Sequence, residues 1–250
     1  MNWKHRGKKF KQRQQVTHIY KFPKADVTVD IVVFGLDLGS KALQVLLIRR
    51  GKETEPFYDR WALPGGFIEM DERLGDSAAR ELKEETGLTL SYIEQLYTFG
   101  KPGRDPRGRV ISVAYMGLAR PENVVLKADD DAADARWFDV GSLDRDTLAF
   151  DHAGILEMGM RRLRGKLRWQ PMGVDLLPEK FTLSELQEVY EIILGKQIDK
   201  RNFRRKVLSF GVLIETGITK TGRSGPPAKA YCFDHDAYAR LRREGLDFEV

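Results

Sequence analysis

The sequence predicts an α+β domain followed by a smaller module with two short helices and a β-hairpin. Three observations lead to this prediction. Apolar runs typical of strands surround an acidic helix pattern in the first 150 residues. A capped helix, a basic helix and a glycine-rich hairpin follow in the last 80 or so residues. Charge is also divided unevenly along the 250 residues, whose net charge is +5.

Runs rich in Val, Ile, Leu and aromatic residues predict the strands of the first module. Gly39 and Ser40 lie between the first two runs and predict a hairpin turn. A helix is expected over 151–164, followed by a linker over 166–178. The predicted strands cover residues 27–36, 43–48, 92–99, 110–118 and 136–138.

The most specific pattern lies between Gly66 and Leu88 and predicts a helix over residues 76–86. Glu81, Glu84 and Glu85 are spaced i, i+3, i+4, so they share one face of that helix. Ala78, Ala79 and Leu82 are expected to form its apolar face, and Gly87 to end it.

Three carboxylates this close repel one another by about 0.2–0.5 kcal/mol per pair, and a bound divalent cation would remove that repulsion. Oxygen ligands of this kind suit Mg²⁺ or Mn²⁺. Three glutamates alone would more often indicate a solvated acidic helix. The complete pattern, which adds Gly66, Glu72 and Arg80 at fixed spacings, favours a metal site.

Charge and composition limit the class of protein. Residues 1–25 carry +8, residues 26–150 carry −7 and residues 151–250 carry +4. Basic segments on both sides of an acidic domain indicate a polyanionic partner. The single cysteine, Cys232, excludes an internal disulfide. No apolar stretch approaches 18 residues, so we expect a cytoplasmic protein without membrane spans.

The second module begins with a capping box at Thr182 and Glu185. Gly195 should end this helix, and Asp199 should cap a basic helix over 200–209. Two strands, 212–215 and 229–233, follow around a glycine-rich loop. Helix, turn, basic helix and hairpin is the order of a winged helix-turn-helix. The alternative is a dimerisation or lid module with a solvated charged face.

In a winged helix-turn-helix the second helix enters the major groove and the hairpin contacts phosphate. The predicted DNA contacts are therefore the polar residues of these two elements, namely Lys200, Arg201, Asn202, Arg204, Arg205, Lys206, Lys220, Arg223 and Lys229.

The pattern from Gly66 to Leu88 resembles the signature of Nudix hydrolases, which cleave nucleoside diphosphates linked to another moiety. The resemblance implies a Nudix α/β/α sandwich with a mixed sheet. It implies that Glu81, Glu84 and Glu85 are metal ligands and candidates for the catalytic base. The Gly66 carbonyl would be a further ligand, and Glu72 and Arg80 would support these residues.

The combination with a winged helix narrows the resemblance. Together with residues 97–109 and 181–187, it resembles the Nudix-related transcriptional regulators of NAD metabolism, the NrtR family. This implies a homodimer that binds a double-stranded DNA operator and uses ADP-ribose or a related nucleotide as effector. Whether the protein also hydrolyses this nucleotide stays open, because the pattern from Gly66 to Leu88, called the box below, is intact. The alternative is a Mg²⁺-dependent ADP-ribose pyrophosphatase whose C-terminal module serves assembly.

Residues 100–109 form a turn-rich loop that fits a ligand role. Arg104, Arg107 and Arg109 are expected to bind a pyrophosphate by bidentate contacts. Tyr58 or Trp61 would stack on a base, although both also fit a core position. The predicted organisation is a basic arm (1–25), a Nudix domain (26–150), a connecting helix and linker (151–178) and a winged helix domain (179–250).

Overall fold

The structure, a computed structural model, describes residues 21–90, 93–121, 132–169, 172–220 and 227–243. Most of the basic arm predicted over residues 1–25 lies outside these ranges. No helix within them is both long enough and apolar enough to span a membrane.

The strands, in chain order, are β1 (Asp26–Asp37), β2 (Ala42–Arg50), β3 (Trp61–Ala62), β4 (Gly65–Phe67), β5 (Ile93–Phe99), β6 (Val110–Leu118), β7 (Ala132–Asp139), β8 (Phe181–Thr182), β9 (Leu213–Lys220) and β10 (Ala228–Phe233). The helices are α1 (Leu74–Thr86), α2 (His152–Trp169), α3 (Leu183–Leu194), α4 (Lys200–Ser209) and α5 (His235–Arg243), with 3₁₀ turns at Arg145–Thr147 and Met172–Leu176.

Seven strands form one mixed sheet, as expected for the first module. The order is β3-β2-β1-β6-β5, with β4 paired to β1 and β7 paired to β2. Strands β1 and β6 run parallel, while the remaining pairs are antiparallel. Strand β1 lies in the middle of this order, so it is the central element of the sheet.

Strand β1 is buried on both faces and holds one helix against each. Val29, Ile31 and Val33 are fully buried and pack with α1. The alternate residues Val32 and Phe34 pack with α2 on the opposite face. This alternation follows from the two-residue period of a strand. The first module is therefore the predicted α/β/α sandwich.

The expected linker over 166–178 is instead partly helical. Helix α2 continues to Trp169, and a 3₁₀ turn covers Met172–Leu176. Leu167, Leu176 and Leu177 are buried in the core, so apolar contacts order this segment.

The predicted apolar face of α1 needs a smaller correction. Ala79 is exposed, while Ser77, Ala78 and Leu82 are buried against the sheet. The Ser77 hydroxyl is accepted in this position because it donates a hydrogen bond to Glu72 at 2.6 Å.

The second module has the predicted order of helix, turn, helix and hairpin. Thr182 Oγ1 accepts from the Glu185 N–H at 3.1 Å, and the Thr182 N–H donates to Glu185 Oε2 at 2.7 Å, which completes the capping box. Gly195 ends α3 with a φ of 67°. Asp199 caps α4 by accepting from the Asn202 N–H at 2.8 Å. Two elements, β8 and α5, lie outside the predicted ones.

One continuous apolar core joins the two modules. Leu163 and Leu167, on the far half of α2, belong to the same buried cluster as Tyr190 of α3 and Phe203 of α4. The rings of Tyr190 and Phe203 meet edge to face at 5.3 Å. The helix-turn-helix therefore packs on the sandwich through α2 rather than standing apart from it.

Two polar contacts accompany this apolar contact. Lys41, in the turn between β1 and β2, places Nζ 2.9 Å from Glu188 Oε1 of α3. Arg164 of α2 donates from Nε to the carbonyl oxygen of Ile193 at 3.0 Å. Both the sheet and α2 thus reach α3 directly.

A buried cluster of charged side chains lies where β1, the loop 100–109 and the start of α2 meet. Asp30 accepts hydrogen bonds from Ser112 Oγ and from Arg104 Nη2, the latter at 3.2 Å. Arg104 also donates to both carboxylate oxygens of Asp151, at 2.6 and 2.9 Å. His152 Nε2 lies 3.3 Å from Asp30 Oδ1.

Burial by itself would raise the pKa of Asp30. The opposing effects of His152, Ser112 and Arg104 are together larger, and they lower this pKa from 3.8 to about 2. Because the folded pKa is below the unfolded one, the ionised carboxylate stabilises the fold fully above about pH 4. This stabilisation is lost as the pH falls toward 2.

Replacing Asp30 with Asn should lower the free energy of unfolding at pH 7 by about 2 kcal/mol, since buried Arg104 then keeps one carboxylate partner fewer. Urea unfolding at pH 7 and at pH 3 measures this. The deficit should shrink at pH 3, because Asp30 of the unfolded wild-type chain then takes up a proton while the folded carboxylate is still ionised. The control is Asp26→Asn, since Asp26 is exposed on the same strand. This substitution should leave the free energy of unfolding unchanged at both pH values. Equal stability of wild type and Asp30→Asn at pH 7 would contradict the role of the cluster.

Candidate functional site

Strand β4 and helix α1 bring the acidic residues of the candidate site together. The Gly65 N–H donates to Glu85 Oε2 at 2.8 Å. A Cβ atom on Gly66 would lie 2.6 Å from the carboxylate of Glu81, and one on Gly65 would lie 2.1 Å from the Val29 carbonyl oxygen. Gly65 has no room for a side chain because backbone atoms block it, and a side chain at Gly66 would displace the Glu81 carboxylate. The two glycines therefore set the close approach of sheet, strand and helix.

Arg80 connects the acidic residues around it. Its Nε donates to Glu72 at 2.7 Å, and its Nη1 donates to Glu81 at 2.7 Å and to Glu84 at 3.1 Å. Ser77 fixes the other side of Glu72 with a bond of 2.6 Å. These contacts agree with the supporting role expected for Glu72 and Arg80.

The carboxylates of the site differ in acidity because their surroundings differ. Burial raises the pKa of Glu85 to about 8, although the Gly65 N–H opposes this. Burial also raises the pKa of Glu81 despite the nearby Arg80. Hydrogen bonds from Arg80 and Ser77 lower the pKa of Glu72 to about 2. The innermost carboxylate, Glu85, thus favours its protonated form unless a cation is beside it.

The donor types at this site fit a hard divalent cation. Three carboxylates and the Gly66 carbonyl supply only oxygen, which Mg²⁺ and Mn²⁺ prefer. Within the described residues, however, no three carboxylate, imidazole or thiolate side chains form a ready metal cluster. Arg80 binds one oxygen of Glu81 and one of Glu84, so a cation would bind the second oxygen of each carboxylate.

The carboxylates form one side of a cavity of about 450 Å³. Positive charge enters the same cavity from Arg50, Lys52 and Arg107. The volume falls within the usual range for a small-molecule site, about 300–1,000 Å³. Carboxylates beside cations suit a ligand whose phosphates bind the cations directly and the carboxylates through a metal.

Aromatic rings hold Arg107 at this cavity. Its guanidinium carbon lies 4.9 Å from the ring centre of Phe67 and 5.4 Å from that of Phe150. Its Nη2 also donates to buried Asp105 at 2.7 Å. The guanidinium is therefore fixed in place before any ligand arrives.

Arg107 lines the cavity, but Arg104 does not. Arg104 lines a small recess beside the cavity, and its guanidinium is buried between Asp30 and Asp151. From their spacing in the loop, both arginines are expected to contact a ligand. In the structure, burial of Arg104 leaves only Arg107 at the cavity.

The other three predicted ligand residues also lie away from the cavity lining. Arg109 donates from Nη1 to the Gly100 carbonyl at 2.8 Å. Tyr58 is exposed on the surface. Trp61 packs edge to face on Phe138, with ring centres 4.6 Å apart, so it matches the core alternative that the sequence left open.

Sequence reasoning missed several residues that line the cavity or its recess, among them Arg50, Lys52, Phe67 and Phe150. The first two follow the predicted end of β2 at Ile48, although the strand continues to Arg50. A signal was present in the basic run from Arg49 to Lys52. Phe67 lies inside the box, and its side chain is 43% exposed.

Helix α4 presents a polar and basic face. Phe203 and Val207 are buried beneath it. Arg204 is half-buried and donates from Nη2 to Ser184 Oγ at 3.0 Å. The predicted DNA contacts that are exposed on α4 are Lys200, Arg201, Asn202, Arg205 and Lys206.

The predicted wing contacts have partners within the fold. Lys220 Nζ lies 2.8 Å from Glu185 Oε1, which ties the hairpin to the capping box of α3. Lys229 Nζ lies 2.9 Å from Glu215 Oε1. Arg223 lies outside the described residues.

Two family models match the chain. The NUDIX domain matches residues 24–158, and the NrtR DNA-binding winged helix domain matches residues 173–233. A relative from Acinetobacter baylyi, described as the ADPR responsive transcriptional repressor NtrR, is 37% identical over 214 residues. The match covers 85% of this chain and 83% of the relative.

Solved structures resemble the chain over the same span. Shewanella oneidensis NrtR complexed with a 27mer DNA has a TM-score of 0.73 and 37% identity, covering 85% of this chain and 95% of that one. The NUDIX domain of the same protein complexed with ADP ribose has a TM-score of 0.52 and 35% identity, covering 57% and 90%. With a NUDIX domain, an NrtR winged helix domain and relatives that align across both, the chain belongs to the NrtR family.

Proposed function

We propose that the protein is a DNA-binding transcriptional repressor of NAD metabolism that binds ADP-ribose, or a related nucleotide, in its Nudix cavity. The observation that carries this proposal is the single apolar core joining the cavity-bearing sandwich to the helix-turn-helix. A ligand in the cavity and a duplex on α4 would therefore bind one packed body. The ADPR responsive relative and the DNA and ADP ribose complexes of the Shewanella protein support this proposal.

The effector proposal rests on the chemistry of the cavity. ADP-ribose carries a pyrophosphate, which matches the cationic groups of Arg50, Lys52 and Arg107. Glu81, Glu84, Glu85 and the Gly66 carbonyl would hold Mg²⁺ or Mn²⁺, which would supply positive charge for the pyrophosphate on the acidic side of the cavity. Of the residues predicted from the loop, the proposal keeps Arg107 as the ligand contact.

The DNA proposal assigns α4 to the major groove. Its exposed cations would contact phosphates, while Asn202 and Arg205, near its start and middle, would reach base edges. The hairpin residues Lys220, Lys229 and Arg223 would lie along the phosphate backbone of the DNA. A homodimer would present two such helices to the half-sites of a palindromic operator.

A second candidate function is hydrolysis of ADP-ribose, and the intact carboxylate cluster favours it. When bound, the metal would polarise a phosphoryl oxygen and acidify a water molecule. Glu81, Glu84 and Glu85 are the groups able to take up the proton. Turnover would limit the lifetime of the effector, so it is compatible with regulation.

DNA binding is expected to be specific and to weaken when ADP-ribose is added. Fluorescence anisotropy with a duplex from upstream of the protein's own gene measures both, with Mg²⁺ present and chromatography confirming that the ADP-ribose is intact. AMP is the control nucleotide. Arg205→Ala should weaken binding and relax the sequence preference, because Arg205 is assigned to base edges, whereas Lys83→Ala on α1 should do neither. Absence of sequence preference at moderate salt would overturn the proposal.

Arg107→Ala should weaken ADP-ribose binding by about tenfold or more, because a charge-assisted hydrogen bond contributes about 1.5–3 kcal/mol. Isothermal titration calorimetry gives the dissociation constant. Arg109→Ala, from the same loop but outside the cavity lining, should have a smaller effect. If the two substitutions weaken binding equally, the cavity is not the effector site.

Hydrolysis of ADP-ribose with Mg²⁺ should yield AMP and ribose 5-phosphate, separated by ion-exchange chromatography. Glu84→Gln should lower the rate by about 100-fold or more without unfolding the protein, because Glu84 is exposed at the cavity. Glu69→Gln, exposed just before α1, is the matched control. If wild type turns over none of a broad nucleotide panel, the box serves binding alone.

A further inference from the structure

The loop 100–109 divides two arginines between two tasks. Arg107 stands at the cavity, while Arg104, three residues earlier, is buried. Between them, Asp105 is 3% exposed and accepts from both the backbone N–H and the guanidinium of Arg107. This short, bonded segment makes it hard to move one arginine without moving the other.

Both arginines contact the junction that leads into α2, which comprises Phe150, Asp151 and His152. Arg107 stacks on the ring of Phe150 at 5.4 Å. Arg104 holds Asp151 through two hydrogen bonds of 2.6 and 2.9 Å. The loop therefore grips the first residues of α2 from the cavity side.

The junction itself is under backbone strain. Phe150 has a φ of 52°, a conformation that a bulky residue rarely adopts. Such strain persists only where surrounding contacts hold it. Here the contacts include the guanidinium of Arg50, 5.0 Å from the Phe150 ring, and that of Arg107. Both guanidinium groups also line the cavity. A ligand that draws them toward itself would therefore weaken the contacts that hold Phe150 in its strained conformation.

The start of α2 is also bonded to the strands of the metal-site region. His152 Nδ1 accepts from the Leu63 N–H at 2.9 Å, and His152 Nε2 faces Asp30. Asp30 lies opposite Gly65 in the pairing of β1 with β4, and the Gly65 N–H binds Glu85. The junction thus contacts the acidic wall of the cavity as well as the cationic one.

The other end of α2 contacts the helix-turn-helix. Arg164 donates to the carbonyl oxygen of Ile193, in the last turn of α3. The 18 residues of α2 span about 27 Å at 1.5 Å per residue. A helix of this length, packed at both ends, moves as a rigid element.

We propose that Arg104, through its pair with Asp151, transmits occupancy of the cavity to α2 and thereby to the helix-turn-helix. Arg104 is then a positioning residue and not a ligand contact. This relay rests on the proposed function, because it presumes one ligand in the cavity and DNA on α4. The ligand would act on the pair of Arg104 and Asp151 through Arg107, and DNA would act on it through α3 and α4.

The test measures a coupling factor, the ratio of the DNA dissociation constants with and without saturating ADP-ribose, by fluorescence anisotropy. Calorimetry gives the ADP-ribose affinity of the same protein. Asp151→Asn keeps the size of the side chain and removes its charge. Asp146→Asn, exposed five residues earlier, is the matched control.

In wild type and Asp146→Asn the coupling factor should lie in the usual allosteric range of about 5–150. In Asp151→Asn it should fall below about 3, while the affinity for each ligand alone stays within about threefold. Should Asp151→Asn fail to fold, Arg164→Gln at the other end of α2 decides, since it should reduce the same factor.

An unchanged coupling factor in Asp151→Asn, or in Arg164→Gln where that variant decides, would overturn the relay and leave the proposed function standing. A loss of ADP-ribose affinity of tenfold or more with the coupling factor retained would also overturn it, because Arg104 would then act at the ligand. A wild-type factor of 1 would overturn the proposed function and the relay together.

Discussion

The two-sided burial of strand β1 is the constraint on which the rest of the structure depends. One face of β1 packs on the acidic helix α1, and the other packs on α2. Because both helices pack on β1, a displacement of this strand would shift α1 and α2 together. Asp30 lies within this strand and is bonded to the loop and to the start of α2. The acidic helix α1 and the helix α2, which packs on the winged helix domain, therefore both pack on β1.

The site concentrates negative charge on α1, and the fold compensates it with nearby cations. Arg80 binds Glu72, Glu81 and Glu84, and the cavity adds Arg50, Lys52 and Arg107. Among the described residues, Glu85 has no such cation in hydrogen-bonding contact; its bonded partner is the Gly65 N–H, and burial raises its pKa. A cation placed beside Glu85 would therefore favour its ionised form.

The arginines of the loop 100–109 show how one residue type takes several roles. Arg104 is enclosed by two carboxylates, Arg107 is stacked between rings at the cavity, and Arg109 binds a backbone carbonyl. They lie within six residues of one another in the sequence, but their environments are set by elements that are distant along the chain. A similar contrast separates Arg204, half-buried against α3, from the exposed Arg205 beside it. Chemistry common to arginine therefore does not assign a role without burial and partners.

The sequence by itself determined the features whose interactions lie within one or two helical turns. These are the carboxylate spacing on α1, the capping box at Thr182 and the Asp199 cap, and each depends on neighbours three or four residues away. Only the tertiary structure decided which cations and rings surround the carboxylates. Arg50, Phe67, Arg107 and Phe150 meet at one cavity although up to 100 residues separate them. Their meeting depends on the packing of both helices against β1, and no local pattern encodes it.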